Sequence, residues 1–576
     1  MISDTLVINS NVNIEFSPGA VIKRAASMNL AMLKNAAFVS HIAAARTTVT
    51  IAWTAGNVAT VTWTAHGKTS ADYVWFQGAS STIFNNVFQV ADVIDVNSFL
   101  IVLTRVPTGS PTGTITALAC DTNISITGGI WDGNQVNNSD ATGYDRDNWV
   151  LVGVAASHFA DYRHIGFHRG ITCGALADVT FRRGRAIATD ADIAASLASE
   201  GHKVYGPANG VRIYDIAART ADDGMSLQVK EAPAFSWTGI PFGDIHDVQV
   251  DGARLLSRGL TAAGGFVIYN SDSETFSRIR VRNIEAHSEQ GSGLIIKYGD
   301  TFTTGTVDDM EVDGAILSTA TPATQYALSV AVPYRQLTLR KIAPRQGSAT
   351  AGGIRTQAAG TGGLLIIDDL SFNDTAFPSS AGNFITLSGA TDKVCLCNSR
   401  VTGNQTNMTL IALTATIKCL ELRNNDIDQI SKVVNESTGL LEVLLLIANR
   451  IKNCAIVFEP RVVTVPTKVL EHGNHFDTIT TGVIRPSTGS GLVAKIYGSG
   501  NLFTSATHVA ATGSATWEAY SFDVAVDPIA ATGLAATTGQ YLVSTQATIE
   551  GGPAVLTAAG WVALGTGAAG INTVIA

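Results

Sequence analysis

A glycine followed by a short run with apolar residues at every second position recurs along the middle of the chain. Gly201-His202-Lys203-Val204-Tyr205, Gly224-Met225-Ser226-Leu227-Gln228, Gly265-Phe266-Val267-Ile268-Tyr269 and Gly293-Leu294-Ile295-Ile296-Lys297 all carry it. Alternation with period two predicts β-strand. Around these runs lies a looser template of alternating strand, short loop, small residue and strand, and Asn recurs at strand ends: Asn283, Asn373, Asn398, Asn424, Asn449 and Asn474 among others. Self-similarity at ~20–25 residues predicts a solenoid. The leucine-rich pattern L-x-x-L-x-L is absent. The fold expected is all-β, a right-handed parallel β-helix built as a single-stranded solenoid, with Asn side chains stacked in hydrogen-bonded ladders.

The same pattern divides the chain. Residues 1–43 begin the coil, with strands at Leu6–Ile8, Val12–Phe16 and Ala20–Ile22. A coil end exposes unpaired strand edge and needs a cap. None precedes Leu6, so the natural polypeptide is expected to be longer there or that end to be covered by another element. Residues 44–118 change character: two Thr-rich runs flank Gly56-Asn57, a hairpin signal, and the segment ends in PTGSPTG. A small antiparallel β module inserted in the coil is expected. Of its aromatics Trp53, Trp63, Tyr73, Trp75 and Phe76, most are expected in its core and the rest offer a sugar-stacking face. Residues 119–503 form the main coil. Residues 504–576 turn rich in Ala, Thr and Gly and read as a separate β-rich domain for trimerisation or binding.

Composition adds exclusions. Charged residues are 15% of the 576, below the ~25% of ordinary globular proteins. The net charge of −9 gives no help to a nucleic-acid role. No apolar run reaches membrane-spanning length, so no membrane insertion is expected, and the first residues carry no secretory signal pattern. The six cysteines form no paired CxxC set and read as reduced, mostly buried small apolar residues. No metal and no cofactor are expected.

Acids precede two of the repeated glycines. Glu200 stands before Gly201, and Asp222-Asp223 before Gly224, with Asp223 lying 23 residues after Glu200. That interval is about one turn of the coil, so equivalent residues stack ~4.8 Å apart. Three carboxyls are thereby expected on one face. Like charges at short range raise at least one pKa, which supplies a protonated acid beside an ionised carboxylate, the pair that cleaves glycosidic bonds. An acidic-capped helix at Thr189–Leu197 and an insertion at Lys230–Gly243 carrying Trp237 flank these acids as walls of a cleft.

The stretch resembles the polygalacturonase-like family of glycoside hydrolases carried by many phage tailspike depolymerases, through Gly201-His202, Gly206-Pro207, Asn209 and Thr220-Ala221-Asp222-Asp223 over residues 120–300. Glu200 replaces the family's leading Asp, and no histidine stands near Ala262–Gly265, where its Gly-His-Gly motif falls. The resemblance implies a homotrimeric virion spike, attached to the phage tail or baseplate through a missing N-terminal region, that binds and cuts bacterial O-antigen or capsule outside the host cell. It implies Asp223 as acid, Glu200 and Asp222 as bases positioning water, and Lys297 as a ligand for a substrate carboxylate. His202, His246, Tyr269 and Trp237 complete the expected substrate-binding set. Two alternatives stay open: a lyase acting on a uronic acid, and a non-catalytic adhesin.

Overall fold

The computed structural model describes residues 1–138, 143–194, 200–229, 242–259, 263–271, 274–298, 305–319, 326–346, 352–356, 362–373, 382–403, 408–460, 467–485, 491–506, 515–525, 541–544, 553–557, 560–564 and 572–575. The chain divides into two compact units. The first is Met1–Thr321 with Ser329–Val332, and the second is Pro322–Leu328 with Pro333–Ala576. Both contain stacks of parallel strands wound as a β-helix.

In the first unit each turn contributes three strands. One stack runs Ser125–Thr127, His158–Ala160, Thr180–Arg182, Arg212–Tyr214, Gln249–Asp251 and Ile279–Arg282. A second runs Ile130–Asp132, Arg163–Ile165, Arg185–Ile187, Ala217–Thr220, Arg254–Ser257 and Glu285–Ser288. The third runs Trp149–Ala155, Arg169–Ala177, Glu200–Asn209, Met225–Gln228, Phe266–Asn270 and Leu294–Tyr298. Alternation sends Ile126, Phe159, Phe181, Ile213 and Val250 inward, all buried. Phe159 and Phe181 stack with ring centroids 5.2 Å apart. Trp131, Trp149 and Tyr162 fill the interior beside them.

The repeated glycines mark a column of close approach. A Cβ on Gly201 would stand 2.5 Å from the carbonyl oxygen of Gly224. One on Gly224 would stand 2.6 Å from that of Gly265, and one on Gly265 2.9 Å from that of Gly293. Lack of space, rather than a left-handed backbone, selects glycine here.

Residues 47–119 hold a seven-stranded antiparallel sheet. Its hairpin joins Thr50–Ala55 to Val58–Thr62 across Gly56-Asn57. Of the five aromatics, Tyr73, Trp75 and Phe76 are buried and Trp53 and Trp63 half-buried. The sheet docks on the coil: Trp75 packs with Val150, Val152 and Ala175, and Tyr73 donates a hydrogen bond to Asp178 at 2.8 Å. A helix over Ala36–Ile42, unmarked by the alternation pattern, packs beneath it.

In the second unit Asn425, Asn449, Asn474 and Asn501 form a buried ladder. Each amide donates to the next side-chain oxygen, at 2.9, 3.0 and 2.9 Å in turn. The last strands, Tyr541–Ser544, Pro553–Thr557, Gly560–Leu564 and Asn572–Ile575, pair antiparallel. All six cysteines are free thiols; Cys120, Cys173, Cys395 and Cys454 are buried, and Cys397 and Cys419 half-buried. Among the described residues no helix is long and apolar enough to cross a membrane.

Candidate functional site

The third strand stack of the first unit sets the acids. Arg169 pairs in register with Glu200. The Gly201 amide donates to the Asp223 carbonyl at 3.2 Å, and the Gly224 amide to the Gly264 carbonyl at 3.1 Å. Arg169, Glu200, Asp223 and Gly264 therefore occupy one column on successive rungs. Two neighbouring columns follow the register of the same strands: Lys203, Ser226, Val267 and Ile295, then Tyr205, Gln228, Tyr269 and Lys297.

Glu200 is buried between two cations. Lys203 Nζ lies 2.9 Å from its Oε1 and Arg169 Nε 3.0 Å from its Oε2. Burial pushes its pKa upward, but Lys203 and Arg169 outweigh burial and hold the carboxyl below its ordinary value. Asp223 is fully buried. Its Oδ1 accepts the Gly264 amide at 3.0 Å and its Oδ2 the Tyr269 hydroxyl at 2.8 Å. Asp222 is the half-buried member of the couple. Burial first, and the charge of Glu200 next, raise Asp223. Burial, Asp223 and Glu200 raise Asp222. Lys203 and Lys297 oppose that rise at Asp222. Lys297 sits over the Tyr269 ring with its Nζ 4.9 Å from the centroid.

A fourth carboxyl joins the cluster. Asp147 is buried, and desolvation pushes its pKa up to about 7 against the pull of Arg169 and Lys203. Sequence reasoning passed over Asp147 and Arg169, and it read Lys203 only as a strand residue. For Lys203 a signal existed: it shares the outward parity of Tyr205 in Gly201–Tyr205. No comparable signal marks Asp147 or Arg169.

The structure thus brings Glu200, Asp222, Asp223, Tyr269 and Lys297 together. Two expected ligands lie elsewhere. His202 has the parity of Val204 and points into the coil, where its Nε2 is 3.2 Å from the Tyr162 hydroxyl oxygen. Burial lowers its pKa to about 4, so it is a core histidine rather than a substrate ligand. His246 is buried against the inserted sheet, 3.0 Å from Asn86 Nδ2 and 2.9 Å from Asp247 Oδ2. It fastens module to coil. Trp237 and most of the 230–243 insertion lie outside the described residues. Of the acidic helix expected over Thr189–Leu197, the part Asp190–Ala194 forms, with Asp192 accepting from the Thr189 amide at 3.0 Å and hydroxyl at 2.8 Å, and residues 195–197 lie outside the described residues. Asp190 in turn pairs with Arg219 and Arg258. The enclosure of Asp223 bears on its expected role as the acid. With both oxygens engaged and no exposed surface, it is badly placed to hand a proton to a ligand, whereas Asp222 keeps an accessible edge. Among the described residues no group of three or more His, Cys, Asp and Glu side chains is arranged to hold a metal ion.

No family model and no curated protein matches the sequence. Solved structures do. The chain is similar to the tailspike protein gp49 from Pseudomonas phage LKA1 at 10% identity and a TM-score of 0.43, covering 83% of this chain and 72% of that one. It is similar to the gp54 tailspike of Acinetobacter baumannii bacteriophage AP22, in complex with A. baumannii capsular saccharide, at 10% identity and a TM-score of 0.31, covering 77% and 73%. It is similar to the catalytic unit of the thermostable GH87 α-1,3-glucanase from Streptomyces thermodiastaticus at 11% identity and a TM-score of 0.26, covering 86% and 88%. At this level the likeness carries no argument about what the chain acts on.

Proposed function

We propose that this chain is a bacteriophage tailspike that binds a bacterial surface polysaccharide, O-antigen or capsule, and cleaves it by glycosidic hydrolysis. In this reading it works as a homotrimer on the virion tail, at the outside of the host cell. The observation that carries the chemistry is Asp222: a half-buried carboxyl whose pKa is raised by burial and by two acids packed behind it. Asp222 donates its proton to the leaving glycosidic oxygen. Positive charge that develops on the sugar ring is stabilised by the ionised carboxylate of Asp223, held rigid by Gly264 and Tyr269. A water adds to the anomeric carbon, supplying the hydroxyl of the new reducing end and the proton that restores Asp222. Glu200 acts through the couple rather than on the sugar. In this reading Lys297, which lies over the Tyr269 ring, meets an anionic substituent of the substrate.

A second reading has an observation of its own: Arg169 and Lys203 compensate Glu200 so fully that the cluster also suits a structural role in a glycan-binding adhesin. Mass spectrometry of host polysaccharide incubated with the protein separates the readings. Fragments carrying the elements of water, lost by at least about 100-fold in rate in Asp222→Asn with binding kept, support hydrolysis. Unsaturated fragments establish a lyase instead, and binding without fragments establishes the adhesin.

A further inference from the structure

Away from the acid cluster, the other two strand stacks of the first unit meet along a corner column of Asp161, Arg183, Asp215, Gly252, Asn283 and Gly314, all with left-handed backbone. Gly252 and Gly314 put no side chain on this column. Beside them opens a cavity of about 530 Å³ lined by Arg185, Arg254, Asp215 and Glu285, and a second of about 420 Å³ lined by Arg182 and Tyr214 adjoins it at Asp215. Arg185 and Arg254 lie two rungs apart with Ala217 between them, which sets their strands ~10 Å apart across a small residue. Both are exposed. Among the described residues, neither makes an ion pair or a hydrogen bond through its side chain, and the same holds for Asp215 and Glu285.

The chemistry of this lining selects its ligand. A bare anion is drawn to the two guanidiniums but repelled by Asp215 and Glu285. An apolar ligand finds Ile216, Ile284 and Ile316, but it would bury four charged side chains against them. A chain of hydroxylated rings both donates and accepts, so it satisfies guanidinium donors and carboxylate acceptors together. The half-buried Tyr214 ring offers a stacking surface. A carboxylate on one ring suits the position over Ala217, with Arg185 and Arg254 on the rungs to either side as forked donors. We propose that this corner groove is a second, non-catalytic binding site for a segment of acidic polysaccharide, with Arg185 and Arg254 clamping a sugar carboxylate. The site goes beyond the cleavage reading and stands whether or not Asp222 acts as an acid.

Isothermal titration of the full chain with a six-unit oligogalacturonate, and with the same oligomer after reduction of its carboxyls, tests this. Binding of the acidic oligomer should weaken with added salt. It should fall by at least about tenfold in the Arg185→Ala/Arg254→Ala double variant, and by a comparable factor for the reduced oligomer. Asp222→Asn should leave it unchanged. Should the double variant fold poorly, Ala217→Glu puts a like charge at that position and gives the same reading. Absence of binding by the unmodified chain, equal affinity in the arginine or Ala217 variants, or loss of binding in Asp222→Asn would each overturn the assignment.

Discussion

If Asp222 is the proton donor, the pH profile of turnover reports its electrostatic surroundings. A donor works while protonated, so turnover should persist below the raised pKa of Asp222 and fall as pH rises through it. The neighbours fix the direction in which each substitution moves this alkaline limb. Glu200 and Asp223 raise the Asp222 pKa, while Lys203 and Lys297 lower it. Unit charges one to two rungs apart interact by about 2–3 kcal/mol at an effective dielectric of ~20. One pH unit corresponds to ~1.4 kcal/mol. Glu200→Gln should therefore carry the limb toward acid by on the order of 1 pH unit or more, and Lys297→Met should carry it toward alkali. The glutamine amide oxygen can still accept from Lys203, which keeps the rung occupied. The assay is release of reducing ends from host polysaccharide between pH 4 and pH 10, roughly the range over which carboxyl groups with shifts of this size titrate. Limbs that move the same way in both variants, or stay fixed while turnover survives, would remove Asp222 from the donor role.

The remaining predictions concern the scaffold. Gly201→Ala puts a Cβ 2.5 Å from the Gly224 carbonyl oxygen and 2.7 Å from Ala218 Cβ, on the rung that carries Glu200. Thermal unfolding should register the roughly 1–3 kcal/mol typical of overpacking, together with reduced turnover; a variant of unchanged stability and rate would deny that this column needs glycine for space. Asn449→Ala breaks the ladder, stripping the Asn425 amide groups of their acceptor at 2.9 and 3.1 Å. Each buried group left unsatisfied costs about 1–3 kcal/mol, so the melting temperature should drop while turnover per folded molecule holds; an unaltered melting temperature would show the ladder to be energetically idle.

The coil was legible because its two signals, spacing and parity, are properties of the chain read one residue at a time. The interval from Glu200 to Asp223 placed those acids on neighbouring rungs, and the strand-end asparagines announced the ladder that Asn425, Asn449, Asn474 and Asn501 build. Parity also held the information that His202 faces inward with Val204, but a motif-like Gly-His pulled the reading the other way. His246 was beyond reach for a different reason. Its partner Asn86 is 160 residues away in an inserted sheet, and nothing in the local pattern says where that sheet docks. Arg169 and Asp147 fail on the same ground, since their importance comes from the charges that folding sets around them.

Those charges explain the site better than its motif does. The enclosed acids are Asp147, Glu200, Asp222 and Asp223, and the cations set against them are Arg169, Lys203 and Lys297. Arg24 also acts on Asp147, so what distinguishes the Asp222/Asp223 couple is burial and mutual repulsion rather than a surplus of charge. In a poorly solvated pocket, carboxyls crowded in this way are relieved by keeping a proton. Glu200, gripped by two cations, gives it up most easily, and Asp223 has two donors supporting its charge. At Asp222 the pull of Lys203 and Lys297 is outweighed by burial and the neighbouring acids, and Asp222 borders on solvent where Asp147 is sealed in. On the proposed hydrolytic reading, the proton that the couple retains therefore rests on Asp222, the carboxyl with an edge toward solvent.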